Sequence, residues 1–89
     1  MPSPVVELNR AVAVGMAYGP EAGLELVDEL AGEPSLKAYH LLPSVRGDLL
    51  AKVGRIEEAR VELARAAALT ANEAERRLLR RRAAELGHP

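Results

Sequence analysis

Two glycine-led turns divide this sequence at a spacing that fits few folds. GPEAGL at residues 19–24 and GRIEEA at residues 54–59 begin 35 residues apart, and each lies between segments with helical periodicity. A repeat of this length is typical of a helix-turn-helix unit, which cannot bury its apolar face alone and therefore stacks on its neighbours. The spacing predicts a stack of antiparallel helical hairpins.

The rest of the chain supports an all-α domain over residues 1–89. Ala, Leu, Glu and Arg dominate, and these residues favour helices. Asn72 with Glu75 has capping-box spacing, and Gly87 follows as a helix stop. Pro43 lies inside the third helix, so residues 36–39 could instead form a separate turn. The predicted helices cover about residues 4–17, 20–31, 36–53, 56–69 and 72–86.

Several polar positions carry specific expectations. On the fourth helix, Glu62 is predicted to lie opposite the apolar arc and to face water. Arg10 interrupts an apolar helix and, if buried, would need a partner such as Asp28. In the last helix, Glu75 and Arg82 intrude into the apolar arc, so they either pair with each other or contact something outside that helix.

The second hairpin resembles a tetratricopeptide repeat. The resemblance implies that seven residues are packing positions: Gly47, Leu50, Gly54, Ile56, Ala59, Leu63 and Ala66. Pro43 and Ala71 depart from the family pattern, and the first hairpin is more degenerate, with Gly23 in place of the close-packing alanine. The last helix would then act as a C-terminal cap on the stack.

Charge is unevenly distributed along the chain. The net charge is −1, but residues 1–35 carry −5, residues 36–75 are balanced, and residues 76–89 carry +4. Such a split can steer one part of a chain against another part or against a second copy. The chain has no cysteine and no apolar stretch of membrane-spanning length, so we expect a cytoplasmic protein.

No constellation in the sequence indicates catalysis or metal binding. Arg46-Gly47-Asp48 occurs in a helical context, which argues against an adhesion signal. His40 and His88 are the only histidines, and neither has a second ligand at helical spacing. No phosphate loop or nucleophile elbow is present. The sequence predicts a protein that is not an enzyme and that uses no cofactor or metal.

The candidate interface residues are a basic set and two aromatics. Arg76, Arg77, Arg80 and Arg81 share one side of the last helix. A solvated face is the simplest interpretation, docking to an acidic protein surface is the second, and nucleic acid is a distant third because no aromatic residue is nearby for base stacking. Tyr18 and Tyr39 lie at helix edges, where they could anchor a protein interface.

A more specific resemblance covers nearly the whole chain. The motifs NRAVA at residues 9–13, YHLL at 39–42, GR at 54–55 and NEAER at 72–76 occur in the order found in a C-terminal extension of bacterial RNA polymerase sigma factors of the extracytoplasmic-function type. The family's polymerase-binding and promoter-reading domains have no counterpart here, so we expect a C-terminal fragment of a longer protein.

The resemblance implies a domain that docks onto sigma domains, RNA polymerase or another protein and adjusts transcription initiation, without recognising a promoter by itself. An alternative remains open. The chain could be a freestanding helical scaffold that self-associates through its open helical faces, for example as a homodimer, with its acidic first third meeting its basic last helix.

Overall fold

The computed structural model describes residues 3–87 and confirms the all-α prediction. Five α-helices and one short 3₁₀ turn account for the ordered elements within that range, which contains no strand. The helices are α1 Pro4–Tyr18, α2 Pro20–Leu30, α3 Leu41–Lys52, α4 Ile56–Leu69 and α5 Glu73–Leu86, and the 3₁₀ turn is Pro34–Leu36.

Consecutive helices pack against each other as antiparallel neighbours. The most extensive contacts join α1 to α2, α3 to α4, and α4 to α5, while α2 also packs on α3. The chain therefore forms two hairpins followed by a single helix that lies against the second hairpin.

The third helix is shorter than the sequence indicated. It begins at Leu41 rather than at residue 36, and Leu36 ends the separate 3₁₀ turn, as in the alternative interpretation. The reason is Pro43, whose ring would clash with the carbonyl of Tyr39 if the helix extended further toward the N-terminus. With the helix beginning at Leu41, Pro43 occupies the first turn, where its missing N–H costs no helical hydrogen bond.

Side-chain caps and glycines set the ends of the helices. Ser3 Oγ accepts a hydrogen bond from the backbone N–H of Val6, and Asn72 Oδ1 accepts one from that of Glu75, at 3.2 Å and 2.9 Å. The turns after α1 and α3 contain Gly19 at φ 106° and Gly54 at φ 87°, backbone angles that residues with a Cβ rarely adopt.

Two apolar clusters hold the helices together. The larger cluster contains nine buried residues, which come from α1, α2, the 3₁₀ turn, α3 and α4. The smaller contains four, which come from α4 and α5. In the larger cluster, Val27 and Leu50 are fully buried. The buried members are Leu8, Ala11, Leu24, Val27, Leu36, Leu42, Leu49, Leu50 and Ala59 in the first, and Leu63, Ala66, Ala67 and Leu79 in the second.

Each hairpin has a glycine where its two helices cross. A Cβ on Gly23 would lie 2.9 Å from both the carbonyl oxygen of Ala11 and the Cα of Gly15. A Cβ on Gly47 would lie 2.9 Å from Cγ of Leu63. Both distances are shorter than van der Waals contact allows, so these glycines permit the close approach of the helices.

None of the helices described within residues 3–87 is both long enough and apolar enough to cross a membrane.

Candidate protein-interaction surfaces

Most of the repeat-packing positions lie at contacts between helices. Gly47, Leu50, Ala59, Leu63 and Ala66 are buried at the α3–α4 crossing or next to it. Ile56 is only half-buried at the first residue of α4, and Gly54 is exposed in the turn. These residues build the scaffold, so a surface for binding partners lies elsewhere.

The Arg46-Gly47-Asp48 tripeptide is used inside the fold. Arg46 Nε donates to Oδ1 of Asp28 at 2.8 Å, which ties α3 to α2. Asp48 forms an ion pair with Arg82, which ties α3 to α5. Both flanking charges therefore fasten α3 to another helix.

The prediction that Glu62 faces water is wrong. Its residue exposure is 7%, and its Oε1 lies 3.7 Å from Nη1 of Arg46 and 3.8 Å from Nη1 of Arg65. The Arg46 side chain extends from α3 to this side of α4. The buried carboxylate of Glu62 therefore has charged partners, as a buried charge requires. The side-chain hydrogen bond to Asp28, with the nearby carboxylates, raises the pKa of Arg46 despite opposing desolvation.

Arg10 does not pair with Asp28. Arg10 and Asn9 are both exposed, and Arg10 Nη1 lies 3.3 Å from Oε2 of Glu7, one turn earlier on the same helix. Asp28 instead pairs with Arg46. Arg10 is exposed to solvent and pairs within its own helix, so it does not need a partner on α2.

Arg76 is separated from the other arginines of α5. Its Nε donates to the carbonyl oxygen of Ala67 at 3.1 Å, and its Nη2 donates to that of Thr70 at 2.7 Å. Its Nη1 also pairs with Glu73 at 2.6 Å. The guanidinium thus caps the C-terminal end of α4, where carbonyls lack helical donors and the helix dipole favours a cation.

The two polar residues that intrude into the apolar arc of α5 contact other helices, as the second of the two alternatives stated. Oε1 of Glu75 lies 2.7 Å from Nε2 of His40, next to the start of α3, and Arg82 pairs with Asp48 within α3. Because Glu75 reaches His40, the reciprocal bond of a capping box is missing, and the backbone N–H of Asn72 donates to Oγ1 of Thr70 instead. Polar contacts therefore hold α5 near its N-terminus and again within its C-terminal half.

The two tyrosines occupy different environments. Tyr18 is 81% exposed at the end of α1. Tyr39 is half-buried against the larger core cluster, and its ring meets that of His40 edge to face, with centroids 5.6 Å apart. Tyr18 is therefore the tyrosine that is free to contact a partner.

An exposed apolar surface lies on α1 and was not predicted from the sequence. We call it the apolar α1 face, and it consists of Val5, Val6, Val12 and Met16. Met16, at 80% exposure, also borders a groove of about 150 Å³ between α1 and α3. The available signal was the absence of a polar side along α1, since apolar residues outnumber polar ones on every side of the helix.

Charges without an ion-pair partner are concentrated on two helices. Within residues 3–87, Glu21, Glu25 and Glu29 belong to no ion pair, and they form the acidic α2 face. Three arginines of α5 are likewise exposed and unpaired. They form the basic α5 face, which consists of Arg77, Arg80 and Arg81.

The described part of the chain offers no group of three or more histidine, cysteine, aspartate or glutamate side chains that could hold a metal ion. His40 within it is engaged with Glu75. His88 lies outside the described residues.

Comparison with known proteins gives one informative match. A protein of Rhizobium meliloti (strain 1021), described as uncharacterized, is 49% identical over 79 residues. These residues are 89% of this chain but 18% of that protein, so the chain spans less than a fifth of its relative. No protein-family profile matches the sequence. No solved structure matches it either.

Proposed function

We propose that this chain is a protein-interaction domain of a sigma factor of the extracytoplasmic-function type, and that it adjusts transcription initiation without binding a promoter itself. The observation that carries the proposal is the order of four motifs, from NRAVA at residues 9–13 to NEAER at 72–76, along nearly the whole chain. The proposed partners are the upstream sigma domains or RNA polymerase.

The surface of the domain supports an interaction role. Three members of the apolar α1 face, Val5, Val12 and Met16, are exposed on one side of the helix, and exposed apolar surfaces are typical of regions that pack against another protein. Tyr18 adds an exposed aromatic side chain at the C-terminal end of α1, on the side of the helix opposite Met16. By contrast, the charged residues of α4 and two of the three on α3, Arg46 and Asp48, are paired within the fold, which suits a scaffold helix pair.

The relative from Rhizobium meliloti fits the same interpretation. Its matching region is a small part of a much longer protein. A domain that works as an attachment within a larger protein would recur in this way.

The test is transcription in vitro with the full-length factor and with a version that lacks this domain. We expect truncation to change the amount of transcript without abolishing initiation at a promoter that the factor recognises. Equal transcription and equal partner binding by both versions would refute the proposal.

A surface variant sharpens that test. Val12→Ser with Met16→Ser removes apolar area from the α1 face, whereas Val61→Ser alters an exposed valine on α4. We expect the first variant to reproduce the effect of truncation and the second to behave as the unaltered factor. The reverse pattern would place the interface on α4.

The second candidate function is a freestanding, self-associating helical scaffold. Its specific support is the separation of unpaired charge between the acidic α2 face and the basic α5 face. Light scattering at several salt concentrations tests it, because association between charged faces weakens as salt rises. A strictly monomeric chain at high protein concentration would rule it out.

A further inference from the structure

We propose that the basic α5 face of one chain, together with Leu78, docks on the acidic α2 face of a second copy, so that copies join head to tail. This contact gives the second candidate function a defined interface. It is independent of the sigma-factor proposal, because it concerns the chain's own association.

Within residues 3–87, no cation forms an ion pair with the acidic α2 face. Glu21, Glu25 and Glu29 follow one another at four-residue spacing, so their carboxylates repeat about every 6 Å along α2. Like charges at this spacing destabilise a helix. Cations supplied by another chain would relieve the repulsion.

Beside these carboxylates lies a depression with an apolar floor. Its volume is about 420 Å³, and its floor is formed by Leu24 and Val53. Two other charges at its rim, Asp28 and Arg55, already pair with Arg46 and Glu58. The rim charges left for an incoming chain are Glu21 and Glu25.

The surface of α5 carries the complementary set. Leu78 is a large apolar side chain that remains 49% exposed. Arg81 follows one turn later and lies beside the leucine, and Arg77 lies one turn before Arg81 at the adjoining edge of the helix. Arg77 and Arg81 are themselves four residues apart and repeat the 6 Å spacing of the glutamates to within about 1 Å.

The two surfaces fit as antiparallel helices. Leu78 would enter the depression over Leu24 and Val53, while Arg77 and Arg81 meet Glu25 and Glu21. The guanidinium group suits this contact, since it can donate two parallel hydrogen bonds to a carboxylate.

A single chain cannot make this contact with itself. The helix α5 packs against α4, whereas α2 packs against α1 and α3, and no ion pair within residues 3–87 joins α2 to α5. A contact between two different surfaces leaves one of each unoccupied, so assembly continues beyond a dimer or closes into a ring. One helix-on-helix contact is small, so we expect a dissociation constant of about 10 µM or weaker.

The experiment is sedimentation velocity of the full 89-residue chain over a range of concentrations at about 0.05 M and 0.5 M salt. We expect the average mass to rise with concentration at low salt and to fall toward the monomer at high salt. A chain that stays monomeric at low salt, or that associates equally well at high salt, overturns the proposal.

Matched variants locate the contact. Arg77→Gln with Arg81→Gln removes two cations from the basic α5 face, and Lys37→Gln with Lys52→Gln removes two other exposed cations. All four residues are exposed, and circular dichroism checks that the helices are retained. The first pair should weaken association by about tenfold and the second by less than about twofold. Equal effects of the two pairs would overturn the proposal.

A mixing experiment tests the head-to-tail geometry. Glu21→Gln with Glu25→Gln disables the α2 side, so this variant and the Arg77→Gln/Arg81→Gln variant each keep one working side. Separately, both should be largely monomeric, and their mixture should form a 1:1 dimer that grows no further. A mixture that stays monomeric while the unaltered chain associates would show that the two faces do not meet. The second candidate function would then need another interface, such as the apolar α1 face.

Discussion

The two hairpins are built on the same plan but differ in what their crossing glycines touch. In the first hairpin, the space beside Gly23 is closed by backbone, namely the carbonyl of Ala11 and the Cα of Gly15. In the second, the space beside Gly47 is closed mainly by the side chain of Leu63. A side chain can change rotamer, whereas two helix backbones can only move apart. The first hairpin, whose sequence matches the repeat pattern less well, therefore has the helix crossing that tolerates an added methyl group less well.

The hairpins also differ in how their charges are used. The outer side of the second hairpin carries ion pairs that link it to α2 and α5, through Arg46 and Asp48. The first hairpin instead exposes an apolar face on α1 and unpaired carboxylates on α2. The second hairpin is the structural centre of the domain, and the first offers the surfaces to partners.

The largest expected effect comes from Gly23→Ala. The added methyl would push against backbone atoms at 2.9 Å, so α1 and α2 must separate. We expect a loss of about 3 kcal/mol in the free energy of unfolding, measured by urea denaturation. Gly32→Ala is a control, because nothing lies within 4 Å of a Cβ there. Equal stability of both variants would show that the crossing is wider than described.

Gly47→Ala should cost less. The methyl would meet Cγ and Cδ2 of Leu63 at 2.9 Å and 3.0 Å, and this side chain can change rotamer, whereas the obstacle at Gly23 is backbone. We expect a net loss of about 1 to 2 kcal/mol in unfolding free energy. In a double-mutant cycle with Leu63→Ala, the double variant should lose about 1 kcal/mol less stability than the sum of the two single losses. Additive losses would mean that Leu63 is not the obstacle.

Arg76 and Arg77 are neighbours that provide a matched pair of substitutions. Arg76→Gln removes the guanidinium that binds the carbonyls of Ala67 and Thr70, so we expect a loss of about 1 to 2 kcal/mol in thermal or urea unfolding. Arg77→Gln should change stability by less than about 0.5 kcal/mol, because the side chain has no ion pair within the described chain. Identical effects would contradict the capping role of Arg76.

The smallest expected effect is at the turn of the second hairpin. Gly54→Ala meets open space, so its cost is only that of the positive φ of 87°, about 1 kcal/mol. Gly54→Asn should lose less, since asparagine is found more often than alanine at positive φ. Thermal unfolding distinguishes the two, and a loss for Gly54→Ala as large as that for Gly23→Ala would contradict this account.

Much of the fold was predictable from the sequence because its signals are local. Turn glycines at 19 and 54, the Asn72 cap and the helical spacing of apolar residues placed four helices to within a residue at each end. The start of α3 was harder, because Pro43 is compatible with either a bent helix or a helix that begins later. Local rules allow both, and the packing of Leu36 against the core favours the second.

What the sequence alone determined is the helical scaffold, since helix propensity, turn chemistry and apolar periodicity depend on residues close together in the chain. Only the tertiary structure decided how the charges are used. It buried Glu62, turned Arg76 onto the end of α4 and paired Asp28 with Arg46 rather than Arg10. Long charged side chains pair with groups that lie within a few ångströms in the folded structure, and a helical wheel gives no distances between helices. The acidic α2 face and the basic α5 face can be identified only once the ion pairs within the fold are known.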